Sequence, residues 1–206
     1  MAIVFYAAPF SSALPVACAL HELQVPHERV NIDLASNAQK KPEFLALNPN
    51  GKVPTLVADG TPMFEALAIV QWLGERYGVK KGLWPAADSP ERMTALAWTA
   101  WTYVTFGAQL LALNTSNSDR APAELRSKPH TDHALKELQS LLGLLDAQLA
   151  KHGHVLGKDY SLADLLIANA VRYGTMLGAT TETHPHISAW LERINQRPLV
   201  RAEWGG

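Results

Sequence analysis

Every segment of this chain that reads as a β-strand lies in its first 64 residues, and only helical patterns follow. Residues 2–6 (AIVFY) form an apolar run short enough for a buried strand, and residues 28–33 (ERVNID) alternate like a second. Residues 55–58 (TLVA), the Asp59-Gly60 turn and residues 61–64 (TPMF) read as a hairpin. Between these runs, residues 13–23 (ALPVACALHEL) have helical composition, with Pro15 tolerable in a first turn, and 42–47 supply one or two further turns. The amphipathic stretch 65–77 (EALAIVQWLGERY) closes the series, with Gly78 placed as its C-terminal cap. The order β-α-β-α-β-β-α predicts a small mixed four-stranded sheet with helices, an α/β domain over residues 1–77.

Residues 78–88 (GVKKGLWPAAD) have the Gly, Pro and Lys content of a linker. Beyond them the spacing predicts one long helix over 90–113, with Ser89 as N-cap and Pro90 in the first turn. The polar stretch 114–129 carries two prolines and reads as a loop. A second helix over 132–151 has leucines at 135, 138, 141, 142, 145 and 149, and a third over 161–176 is apolar nearly all round, as the centre of a bundle would be. A fourth spans 186–196 and stops before Pro198. The predicted second domain, 89–206, is therefore all-helical.

Bulk properties narrow the function classes. Hydrophobic residues at 48% against 18% charged exclude a disordered chain. The net charge is -1, and neither half is a basic or acidic tail, so nucleic acid is not the expected partner. A single cysteine excludes a disulfide framework or a cysteine-based zinc site. No window of 18 apolar residues occurs, which predicts no membrane span. The opening MAIVFYAAPF lacks the charged and long apolar regions of a signal peptide, and the expected location is the cytoplasm.

Four phrases, NPNGKVPTL (48–56), FEALAIVQWL (64–73), YSLADLLIA (160–168) and the closing INQRPLVRA, occur in the order and spacing of the soluble glutathione S-transferases. The chain resembles that family over nearly its whole length. SSALPVACALHE (11–22) and the AIVQWL run are most similar to its bacterial beta-like members. The resemblance implies a thioredoxin-like N-terminal domain, an all-α helical-bundle C-terminal domain, glutathione as co-substrate and a homodimer.

By itself Pro54 fits the start of a strand, where a missing N–H costs no ladder bond. The resemblance implies instead a cis Val53-Pro54 bond, the one peptide type for which cis is accessible. Val53 would then present its backbone N–H and C=O as an unpaired edge, against which the cysteinyl peptide of glutathione pairs like a strand. Glu65 lies where the fourth strand gives way to a helix; it would meet the γ-glutamyl ammonium while the Ala66 N–H and the helix N-terminus meet the adjacent carboxylate. The family places Ser after this acid, so Ala66 lacks a hydroxyl contact. Glu65 also complements the helix dipole without any ligand. Lys52 is a second candidate partner for a ligand carboxylate, or a solvated surface lysine.

Ionising the glutathione thiol, whose ordinary pKa is near 8.5 by analogy with cysteine, needs a hydrogen-bond donor and a helix N-terminus. The resemblance places Ser11 at the position of the beta-like cysteine, with Ser12 beside it. A hydroxyl holds a thiolate but forms no mixed disulfide. The plainer role is N-capping by one of the two serines. Tyr6 is a weaker donor inside a strand, and Cys18 lies among Val16, Ala17, Ala19 and Leu20 as a small buried hydrophobe.

For an apolar second substrate the resemblance offers Trp98, Trp101, Tyr103 and Phe106 on the long helix, facing the thiol loop across the domain cleft, and Phe10 on the opposite wall. Trp98 and Trp101 share a helix face. Bundle core or dimer contact is the alternative for each. Ala100 and Gly107 replace polar residues of beta-like relatives. Ser161 and Asp164 match a capping box, with Tyr160 placed to staple against Leu165. The eight histidines, including the pairs 152/154 and 184/186, show no metal-ligand pattern, so no metal is expected. The expected function is conjugation of glutathione, held as thiolate, to electrophilic apolar small molecules. The alternatives are a glutathione-dependent isomerase or disulfide reductase on the same fold, or a noncatalytic glutathione- or ligand-binding stress protein.

Overall fold

The computed structural model describes residues 2–119, 121–198, and 200 and 201. The closing phrase therefore includes Leu199 and Ala202, which lie outside the described residues. Two compact units emerge, one of Met1–Ala87 with Pro198–Gly206, the other of Asp88–Arg197.

The first unit carries the sheet. Strands β1 (Ile3–Ala7), β2 (Glu28–Asn31), β3 (Thr55–Ala58) and β4 (Thr61–Phe64) lie in the order β2-β1-β3-β4. Strand β1 pairs parallel with β2 and antiparallel with β3, and β3 pairs antiparallel with β4. The expected mixed four-stranded sheet is thus present. The central strands bury Phe5 and Leu56 completely, while β4, with Pro62, takes an edge where a residue without an N–H is tolerated. Helix α1 (Leu14–Glu22) buries Val16, Cys18, Ala19 and Leu20, and α3 (Ala66–Leu73) buries Ile69, Val70 and Leu73. A short α2 (Pro42–Leu45) turns around buried Phe44.

Register decides where the loops meet. Thr55, the first residue of β3, lies opposite Tyr6 near the end of β1 and opposite Phe64 at the end of β4. The segments leaving β1, entering β3 and leaving β4 are consequently neighbours at one end of the sheet.

Two details differ from the sequence expectation. Helix α3 ends at Leu73 and continues as a wider π turn, Gly74–Gly78, so Gly78 is no left-handed cap; its φ is -88°, and Gly82 takes the left-handed conformation at 69°. The glycines serve close packing instead. A Cβ on Gly74 would lie 2.7 Å from the Trp84 indole, and one on Gly78 3.0 Å from the Trp84 Cβ. Trp84, inside the stretch read as a linker, is 3% exposed.

The helical unit contains α4 (Pro90–Trp101), α5 (Gly107–Asn117), α6 (Lys128–His152), α7 (Leu162–Met176) and α8 (Pro185–Asn195). The single helix expected over 90–113 is interrupted by a π turn at Thr102–Phe106 and extends further, to Asn117. Helix α6 begins four residues early because Pro129 sits in its first turn, where its missing N–H is harmless, with Ser127 as the capping acceptor for the His130 N–H. Ser89 occupies the N-cap position of α4 but makes no side-chain cap bond. Helix α7 is the buried centre, as its composition predicts.

The capping box at the start of α7 is formed and extended. The Asp164 carboxylate, fully buried, accepts from the Ser161 N–H (2.9 Å) and the Ser161 hydroxyl (2.8 Å). Its other oxygen accepts from the Val155 N–H and from Trp190 Nε1–H on α8, each at 2.9 Å. One side chain thereby joins the loop before α7, its first turn and α8.

Candidate active site

Loop 8–13 follows β1 directly. Phe10 has φ 52°, a left-handed backbone uncommon outside glycine, and its side chain is fully exposed. Ser11 and Ser12 then use their hydroxyls differently. The Ser11 Oγ donates to the Ala8 carbonyl at 2.6 Å and accepts from the Ala13 N–H at 3.2 Å, a ring of bonds internal to the loop. The Ser12 Oγ donates to the Val53 carbonyl at 2.8 Å, across 41 residues of sequence. Ser12 is therefore no cap; the N-cap residue of α1 is Ala13, and the cap-like bond belongs to Ser11.

The Val53-Pro54 peptide is cis. The Val53 carbonyl is not the unpaired acceptor expected from sequence, because Ser12 already occupies one of its two lone-pair directions. No acceptor for the Val53 N–H occurs among the described residues. The loop leading to it is pinned by Asn48, which sequence reasoning passed over. Buried Asn48 donates through Nδ2 to the Lys52 carbonyl (2.7 Å) and to Thr55 Oγ1 (3.1 Å), and its Oδ1 accepts from the Asn50 N–H (3.0 Å). The visible signal was Asn-Pro-Asn-Gly, an Asx-turn composition. Gly51 at φ 57° leaves room for Lys40 and the Gln39 carbonyl, which a Cβ would meet at 2.8 and 2.9 Å. Lys40, whose Nζ donates to the Asn50 carbonyl at 3.2 Å, joins exposed Lys52 as a second cation on this loop.

Glu65 is exposed and stands just ahead of α3 with φ 71° and ψ 117°. A strained non-glycine backbone of this kind persists only where its surroundings enforce it, and such residues concentrate at functional positions. Its carbonyl accepts the Ile69 N–H, and its side chain makes no cap bond to the helix it starts. Ala66 is buried behind it. The structure thus gathers Phe10, Ser11, Ser12, Lys52, Val53, Pro54, Glu65 and Ala66 at one end of the sheet.

In the helical unit, Trp98 and Trp101 meet edge to face at 5.1 Å between centroids, as their spacing implied. Trp101 also contacts Phe106 at 5.5 Å. Phe106 is 1% exposed and belongs to the bundle core, where it faces Gly174, so it offers no surface to a substrate. The π turn just before Gly107 shifts the helical phase and turns it inward. Trp98, Trp101 and Tyr103 are half-buried. Tyr6 packs edge-on against Phe44 inside the sheet layer, and Cys18 is fully buried, consistent with a packing role. No group of metal-ligating side chains occurs among the described residues, and no described helix is long and apolar enough to cross a membrane.

A thioredoxin-like sheet domain with these loops at one end, followed by an all-helical domain, defines a glutathione-transferase type of protein. Comparison with known proteins agrees: residues 10–76 match the glutathione S-transferase N-terminal domain and residues 108–198 the C-terminal domain. The chain belongs to the glutathione S-transferase family. It is 33% identical to glutathione S-transferase GstB of Escherichia coli, with 90% of this chain and 89% of that one aligned. It is 29% identical to the disulfide-bond oxidoreductase YfcG of Escherichia coli, over 97% and 95% of the two chains. Among solved structures, the theta class enzyme of Xanthomonas axonopodis pv. citri with glutathione bound superimposes with a TM-score of 0.85 at 27% identity, covering 98% and 96%.

Proposed function

We propose that this protein binds glutathione, holds it as the thiolate and conjugates it to electrophilic apolar small molecules. The observation that carries this reading is the meeting of three peptide-recognition elements at one end of the sheet: the Val53 backbone, the Glu65 turn and the serine loop. The cysteinyl peptide pairs with Val53, and Glu65 takes the γ-glutamyl ammonium. The Ala66 N–H and the start of α3 take the carboxylate beside it. Lys52 and Lys40 are the cations available to the carboxylate at the other end of the tripeptide. The thiol loses its proton to solvent, and the sulfur anion is held by a serine hydroxyl and the N-terminal end of α1 before attacking the electrophile. Phe10 offers fully exposed apolar surface within the first unit, and Trp98, Trp101 and Tyr103 are the half-buried aromatic candidates within the helical unit.

A homodimer is supported by an exposed apolar stripe along α4 and α5, where Met93, Leu96, Val104 and Leu111 are 41–76% exposed alongside Ala97, Ala100 and Ala108. A cytoplasmic location suits an enzyme whose co-substrate is a free thiol. Disulfide reduction is the second reading, favoured by the likeness to YfcG. With serines in the loop and Cys18 buried, that chemistry would have to run through the glutathione sulfur itself. A glutathione titration followed by calorimetry and thermal melting tests the binding, with the midpoint rising as the site fills. A panel of electrophiles and disulfides separates the reactions. No heat and no shift at millimolar glutathione would remove both catalytic readings, while binding without turnover on any substrate would leave a noncatalytic binding protein.

A further inference from the structure

We propose that the groove between the end of α6 and α8 binds a small molecule carrying two or more phosphate groups. This site lies wholly within the helical unit, shares no residue with the glutathione site and does not rest on that reading. Lys151, His152, Lys158, His186 and Arg193 all line one cavity of about 510 Å³, and no aspartate or glutamate lines it. The whole chain carries 18 Lys and Arg against 19 Asp and Glu, so a patch of one sign departs from its composition. The volume falls in the range of small-molecule sites.

Local structure assembles the groove. Gly153 ends α6 with φ 90°, a left-handed conformation that turns the chain back. In the loop that follows, the His154 N–H donates to the Gly157 carbonyl at 3.1 Å. The His154 ring donates through Nδ1 to the Lys158 carbonyl at 2.9 Å, closing a loop that returns Lys158 to the groove. From α8, Arg193 Nη2 donates to the Gly153 carbonyl at 2.6 Å, which fixes the guanidinium across the helix end and leaves its other N–H donors uncommitted among the described residues. Lys151 Nζ donates to a neutral partner, Gln148 Oε1, at 2.9 Å. Among the described residues no carboxylate pairs with any of these cations.

Helix electrostatics account for only part of this set. Lys151 and His152, in the last turn of α6, suit the negative end of its dipole without any ligand. His186 stands in the first turn of α8, the positive end, where a positive side chain is unfavourable. Its backbone N–H has no acceptor among the described residues. An anion there is matched by the helix end, the free N–H and the imidazole together. The side chains of Lys151, Lys158 and Arg193 bring more charge than a single carboxylate neutralises, and a guanidinium fork suits paired phosphate oxygens, so the fitting ligand is a di- or triphosphate. Both histidines can donate hydrogen bonds whether neutral or charged. The histidine pairs 152/154 and 184/186 thereby divide: one of each lines the groove, while His154 ties the loop and His184 is buried.

The test titrates pyrophosphate and ADP, in parallel and at fixed ionic strength, into the full-length protein, followed by calorimetry and by the histidine ring signals in nuclear magnetic resonance. In the wild type the binding should saturate, and the His152 and His186 signals should move with the calorimetric midpoint while those of His21 and His27, in the first unit, stay in place. Tighter binding of ADP assigns the groove to nucleotides and tighter binding of pyrophosphate to inorganic polyphosphates; either supports the proposal. The double variant Lys151→Gln, Lys158→Gln, at two exposed positions, should weaken binding roughly 2- to 30-fold and leave the melting temperature of the free protein unchanged. Arg193→Lys keeps the charge and loses the fork, so it should weaken binding as well, whereas a response to bulk charge alone would not change. The proposal is overturned if sodium chloride at the same ionic strength moves the histidine signals as far, or if the double variant binds pyrophosphate as the wild type does. Displacement of the anion by glutathione would place it on the Lys40 and Lys52 loop and overturn the proposal too. A single-stranded oligonucleotide that binds more tightly per phosphate than pyrophosphate would overturn the small-molecule class in favour of a nucleic-acid surface.

Discussion

Replacing Asp164 by asparagine changes almost no volume and should nonetheless destabilise the helical unit severely. The carboxylate receives four donors in a fully buried position: the N–H groups of Val155 and Ser161, the Ser161 hydroxyl and the Trp190 indole. An amide must turn an NH2 group toward one pair of them. Facing Ser161 is the milder choice, because the hydroxyl can reverse and accept, but the Ser161 N–H is then left without an acceptor. An orphaned buried donor costs about 1–3 kcal/mol, and the two donors kept on the neutral oxygen each lose about 1 kcal/mol relative to a charged acceptor. Asp164→Asn should therefore lose about 3–5 kcal/mol, a large part of a typical total of about 5–15 kcal/mol. Asp164→Ala, which orphans all four donors, should not fold stably. Urea unfolding followed by circular dichroism reads the loss as a lower midpoint at unchanged slope. Combining Asp164→Asn with Trp190→Phe in a double-mutant cycle isolates the indole contribution, with coupling expected at about 0.5–3 kcal/mol. A loss in Asp164→Asn below about 1 kcal/mol, within the range of one ordinary hydrogen bond, would refute the account.

Glu65→Ala should weaken glutathione binding roughly 10- to 150-fold, the equivalent of one charged hydrogen bond at about 1.5–3 kcal/mol, and leave the bound thiol's pKa unchanged; calorimetry and the thiolate titration check the two halves separately. Phe10→Gly should leave stability unchanged or raise it by about 1 kcal/mol, since relief of a left-handed backbone outweighs glycine's extra chain entropy and the exposed ring loses no burial. Turnover of bulky apolar electrophiles should fall in the same variant, and a loss of stability would contradict the strain argument. The exposed Asp33 carboxyl is held below its ordinary value of 3.8 chiefly by the Ser36 hydroxyl, then by the Ser36 and Ala35 N–H groups. With the folded value depressed, its contribution to stability is complete above pH 3.8 and disappears as pH falls through the folded value. A carbon-13 titration of Asp33 with a midpoint at or above 3.8 would show that these bonds do not form in solution.

Local pattern was enough for the elements and their order. Strand alternation, the hairpin at Asp59-Gly60 and the helical periodicities act over a few residues, and the structure keeps them, including the buried α7 and the Ser161–Asp164 capping box, except that a π turn divides the helix expected over 90–113 and α6 starts at Lys128. The resemblance to the glutathione S-transferases singled out Pro54 and Glu65, and both have unusual backbones: the Val53-Pro54 peptide is cis and Glu65 has φ 71°. Glycine misled where its role was packing. Gly78 follows an amphipathic helix as a cap would, but Trp84 packs against it and Gly74, a contact that appears only when the chain folds back.

The sequence by itself determined a mixed four-stranded sheet followed by a helical bundle, and the stretches from which a glutathione site would be assembled, because those follow from short-range periodicity and from phrases read in order. Tertiary structure alone decided what the polar groups do. The two serines are adjacent and chemically identical, yet one closes a ring within its own loop and the other reaches Val53 across 41 residues. Asp164 looked like a local cap until Trp190 and Val155 were found on its second oxygen. Phe106 looked like part of an aromatic face until a π turn moved it into the core. A hydrogen bond or a packing contact between distant residues depends on where the backbone brings them, and sequence separation carries no information about that distance.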